Sequence, residues 1–78
     1  MTLSEFLTNY YRARALNMGQ PRDVVAAFKA AAKDDPVLLD AARAEVERIA
    51  ALGLGEDDLK RRDFASWVSR DGLVKALG

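Results

Sequence analysis

Cysteine and histidine are both missing from this chain of 78 residues. No disulfide can form, which suits a reducing compartment. Structural zinc sites, iron–sulfur clusters and Ser-His-Asp or Cys-His engines lose their usual parts. Net charge is missing too, since 12 basic side chains balance 12 acidic ones. Both halves are close to neutral, with 5 basic and 4 acidic groups over residues 1–39, and 7 and 8 over residues 40–78. Such a chain has no strong overall field for polyanions or anionic membranes. No apolar run approaches the roughly 20 residues of a membrane span. The opening MTLSEFLTNYYRAR is acid-bearing and periodic, unlike the basic-then-apolar order of a signal peptide. These absences predict a cytoplasmic protein with no membrane partner, no metal and no cofactor.

Half the residues are hydrophobic, enough to exclude disorder throughout. A chain this short buries only about 60–65% of its unfolded surface, so a partner or self-association would add to its stability. Arginine outnumbers lysine 8 to 4 and alanine is abundant, a composition pointing to a GC-rich bacterial or phage genome.

Punctuation falls at Gly19-Gln20-Pro21, Asp34-Asp35-Pro36, Gly53-Leu54-Gly55 and Asp71-Gly72. Proline favours a helix's first turn and glycine the position just past its end. The expected fold is an all-α bundle of about four helices over residues 3–18, 21–33, 36–52 and 56–70, forming one domain. Leu73 and Leu77 fall opposite Phe64 on a continuous wheel, so a break at Asp71-Gly72 and a terminal turn over 73–77 are expected. Apolar spacing assigns the core to Phe6, Tyr10, Val24, Phe28, Leu39, Val46, Ile49, Phe64, Trp67 and Val68.

The stretch EDDLKRRDFASW, residues 56–67, interleaves Lys60, Arg61 and Arg62 with Phe64 and Trp67, a pattern that can hold single-stranded nucleic acid. Glu56, Asp57 and Asp58 each precede one of those bases by four residues, in the favourable order for helical pairs. The expected reading is therefore a self-neutralised helix start whose aromatics serve the core. A helix-turn-helix reading of the second and third helices fares no better. The third helix opens DDPVLLD, with no Arg, Lys, Asn or Gln for a base edge and three carboxylates toward phosphate.

Carboxylates gather at helix starts, where capping employs them. They show no calcium-loop spacing, and no glycine-rich phosphate loop is present. No residue is therefore assigned a catalytic role, and the chain is expected not to be an enzyme. What remains is binding. Arg22, Lys29 and Lys33 share one face of the second helix, within about 40° of one another. Arg12 and Arg14 would extend that line if the first two helices pack antiparallel. Arg14 lies within the apolar arc of the first helix, beside Tyr10 and Tyr11, and either snorkels to water or anchors an interface. The candidate partner-binding residues are Tyr11, Arg12, Arg14, Met18, Arg22, Lys29 and Lys33. The function expected from them is a small protein–protein interaction module, an adaptor, accessory subunit or regulator that docks on a larger protein. The alternative is a nucleic-acid-binding regulator using the basic face of the second helix. Residues 27–44, AFKAAAKDDPVLLDAARA, resemble part of the helical leaders of nitrogen-fixation-associated modified-peptide precursors.

Overall fold

A computed structural model describes every residue from Met1 to Gly78. It is all-α, with five helices: α1 (Leu3–Ala15), α2 (Pro21–Ala32), α3 (Pro36–Ala50), α4 (Glu56–Arg62) and α5 (Phe64–Leu77). No helix is long and apolar enough to cross a membrane.

Local chemistry accounts for most of the boundaries. Thr2 accepts from the Glu5 amide at 3.1 Å and so caps α1. The helix ends three residues earlier than its apolar pattern suggests. Asn17 turns into the left-handed region at φ 55°, and the amides of Leu16 and Met18 both return to the Arg12 carbonyl. Asparagine tolerates that conformation, so the stop precedes Gly19. Helix α3 begins as its sequence implies: Asp35 Oδ1 accepts from the Leu38 amide at 3.0 Å, and Pro36 occupies the first turn. Gly53, at φ +68°, closes it.

The fourth expected helix is instead two, and its break lies elsewhere. Asp63 leaves the helical region at φ −145° and caps a new helix, accepting from the Ser66 amide at 3.2 Å and from its hydroxyl at 2.7 Å. Helix α5 then runs unbroken through Asp71 and Gly72 to Leu77, so no separate terminal turn exists over 73–77. Glycine at position 72 answers a packing demand. A Cβ there would lie 2.7–2.9 Å from three ring atoms of Tyr10, and only glycine lets α1 come so close.

Helix α5 is the hub, packing against each of the other four. Its buried face carries Ser66, Val68, Gly72, Leu73 and Ala76. Val68, Leu73 and Ala76 meet Phe6, Tyr10, Phe28, Ala32, Leu38 and Ala42 in one cluster. The Phe6 ring centroid lies 4.6 Å from that of Phe28 and 5.9 Å from that of Tyr10. Of the core read from spacing, Phe6, Tyr10, Phe28, Ile49 and Val68 are buried, while Val24, Leu39, Val46 and Trp67 are half-buried. Phe64 is 40% exposed and is not a core residue. A helix phased on Phe64 and Trp67 points wrongly because those residues flank the buried face of α5; Leu59 and Leu73 are buried instead.

Candidate docking surfaces

Arg14 carries its guanidinium from the apolar arc of α1 to α5. Its Nε approaches Asp71 Oδ2 at 3.5 Å, and its guanidinium lies 5.7 Å from the Trp67 ring centroid. The side chain is 44% exposed, so it ties α1 to α5 while its head stays wet. The same carboxylate oxygen accepts from the buried Tyr10 hydroxyl at 2.5 Å and from Lys75 Nζ at 3.2 Å. Lys75 also donates to the Tyr10 oxygen at 3.4 Å. Burial, then the adjacent Asp71 carboxylate, push the Tyr10 phenol above its ordinary value. Burial pulls Asp71 upward, but the Tyr10 hydrogen bond and the Lys75 and Arg14 charges prevail and hold it below its ordinary value. The Asp71 hydrogen bond raises Lys75.

Beside this network lies an aromatic ridge. Tyr11 meets Phe64 edge-on at 6.1 Å, and Phe64 stacks on Trp67 at 5.7 Å. Lys60 lies over the Trp67 ring, 4.7 Å from its centroid. The expected ladder of three helical ion pairs in α4 is not made: Asp58 pairs with Arg61 at 2.5 Å, while Glu56 and Asp57 pair with no base. The break at Asp63 brings Trp67 back over α4, and Lys60 turns to the ring instead of to Glu56. Replacing Lys60 and Arg61 together with alanine removes one exposed ion pair and one exposed cation–π contact, about 1 kcal/mol in all. Urea unfolding should show that loss, with Trp67 emission shifting to the red. Unchanged emission would mean that Lys60 does not cover the ring in solution.

Of the seven candidate partner residues, Arg14 is engaged with Asp71 and five others line three grooves. Arg12 and Met18 line an open groove of about 520 Å³ between α1 and α2, with Asp23, Val24 and the Met1 side chain. Tyr11 and Arg12 line a second groove of about 320 Å³ with Leu7, Leu16, Ala65 and Ser69. Arg12 therefore stands on the wall between the two grooves. Arg22 and Lys29 line a third groove, of about 490 Å³, together with Pro21, Val25 and Lys75. Lys33 lines none of them. Arg12 and Arg14 do not extend the α2 line as a pair, since two helical residues apart are about 200° apart.

Leu16 and Lys75 escaped the sequence reading. Leu16 is 53% exposed just past the end of α1, two residues before Met18 at 62%. An apolar residue beyond the last core position was the available signal for it. For Lys75 there was none, since α5 alone brings it to α2. No group of three or more His, Cys, Asp or Glu side chains is placed to hold a metal ion. In comparisons with protein-family models, curated proteins and solved structures, the chain finds no significant match.

Proposed function

We propose that this protein is a small non-catalytic interaction module, an adaptor, accessory subunit or regulator, that docks on a larger protein through the corner where α1 ends. One observation carries the reading. Leu16 and Met18, two residues apart in the chain, each expose more than half their area; Met18 lines one groove and Leu16, with Tyr11, the other, and Arg12 lines both. Single exposed apolar residues are ordinary, but here two lie within three residues of each other, each lining a groove that Arg12 also lines, and apolar surface rimmed by polar groups marks interaction sites. Tyrosine and arginine are the residue types that most often carry binding energy, and methionine adapts its shape to a partner. Arg12 makes no ion pair or side-chain hydrogen bond within the chain, so contact with a partner would break no internal bond of Arg12.

The test is recovery of a partner from the native cell, before and after nuclease. A partner that survives nuclease and is lost with Arg12→Glu or Met18→Glu supports docking, provided circular dichroism shows both variants folded. Arg14→Glu is a poor probe, because it also breaks the contact with Asp71. Recovery abolished by nuclease, with binding falling steeply in salt, assigns the protein to nucleic acid instead. Recovery indifferent to both variants places the contact elsewhere on the molecule.

A further inference from the structure

The third groove stands on residues other than those of the docking corner. We infer that it receives an extended acidic segment of a partner protein, in which two carboxylate side chains flank an apolar one. Its wall holds three cations from two helices, Arg22 and Lys29 of α2 and Lys75 of α5, around Pro21 and Val25. No carboxylate lines it. Arg22 and Lys29 make no ion pair and no side-chain hydrogen bond. Lys75 holds Asp71, but that carboxylate is shared with Tyr10 and Arg14. In a protein with no net charge, the groove therefore holds two cations, Arg22 and Lys29, with no internal counter-charge, beside a third, Lys75, whose counter-charge is shared.

The spacing selects the ligand's form. Arg22 and Lys29 are two helical turns apart on one face, about 10.5 Å along the axis. In an extended chain, acids at i and i+4 point the same way about 13 Å apart, with residue i+2 between them. Flexible arginine and lysine stems span the difference, and the middle side chain meets Val25. Nucleic acid fits less well. The groove has no aromatic side chain on which a base could stack, and its three cations make too short a track for a phosphate backbone.

Fluorescence anisotropy tests this with a labelled peptide Gly-Glu-Ser-Leu-Ser-Glu-Gly, its twin carrying Gln for Glu, and a labelled oligothymidylate. The acidic peptide should bind saturably, and the Gln twin should not. Arg22→Glu and Lys29→Glu should each weaken binding about tenfold, since each exchanges an exposed attraction for a repulsion. Lys33→Glu, on the same helix but outside the groove, should change it by about twofold at most at physiological salt. Equal binding of both peptides, no binding of either, or an equal loss from Lys33→Glu overturns the assignment. Tighter binding of the oligothymidylate overturns it in favour of nucleic acid. Arg12→Glu should leave peptide affinity unchanged, so failure at this groove and failure at the docking corner give different results.

Discussion

Gly72→Ala should lower the thermal unfolding midpoint by about 10 °C, although alanine is the better helix former by up to about 1 kcal/mol. The new methyl would sit 2.7, 2.8 and 2.9 Å from Cδ2, Cγ and Cε2 of Tyr10. That ring has little room to yield. It is fully buried, it packs against Phe6, and its hydroxyl is held by Asp71, the residue preceding Gly72. Overpacking of this kind costs about 1–3 kcal/mol, and α5 would have to move away from α1 to relieve it. Gly72→Val should cost more. In a Tyr10→Leu background the added penalty of Gly72→Ala should shrink, because the flat ring face that meets the methyl is gone. Calorimetry of these variants decides the matter. A midpoint that rises in Gly72→Ala would show that the helices are not so closely apposed, and that glycine is there only by tolerance.

Asp71→Asn should cost about 2 kcal/mol at neutral pH, the scale of a hydrogen bond to a charged acceptor. The carboxylate is 23% exposed, sheltered enough for its partners to count. It accepts from Tyr10 and Lys75 and faces Arg14, and an amide would lose the charge that organises all three. The acid dependence follows from linkage. Asp71 in the folded protein lies below its ordinary value of 3.8. Its stabilisation is therefore fully present above that value and is lost as pH falls through the folded one. Tyr10 and Lys75 are both raised, from 10.0 and 10.5. Their contribution is present at neutral pH and is lost as alkaline pH passes through their folded values. Urea unfolding from pH 2.5 to 11 should show wild-type stability falling at both ends, with a flatter acid limb in Asp71→Asn. Tyr10→Phe should flatten the alkaline limb and cost less at neutral pH, since Lys75 and Arg14 still hold Asp71. Wild-type stability in Asp71→Asn at pH 7, with an unaltered acid limb, would refute this account of the network.

Much of this molecule is set by short-range chemistry, and that part is legible in the chain. Asp35-Pro36 starts α3 and Gly53 ends it because capping and backbone freedom act within a few residues. The apolar spacing that buries Phe6, Tyr10 and Phe28 works on the same scale. The break at Asp63 is also local, an aspartate capping Ser66 three residues on, but the helical charge spacing before it and the apolar i, i+3, i+4 spacing of Phe64, Trp67 and Val68 after it conceal it. Gly72 is the opposite case. A glycine after an aspartate reads as a stop, and only the Tyr10 ring arriving from α1 makes it a seat within a helix. Trp67 and Phe64 have helical core spacing, yet Trp67 is only half-buried, under Lys60, and Phe64 lies exposed between Trp67 and Tyr11. The candidate surfaces divide along the same line. The nearness of Tyr11, Arg12 and Met18 to one helix end could be read from residue order. The meeting of Lys75 with Arg22 and Lys29 could not, because it brings together side chains more than 40 residues apart and follows from how the faces of α2 and α5 pack, which no local pattern encodes.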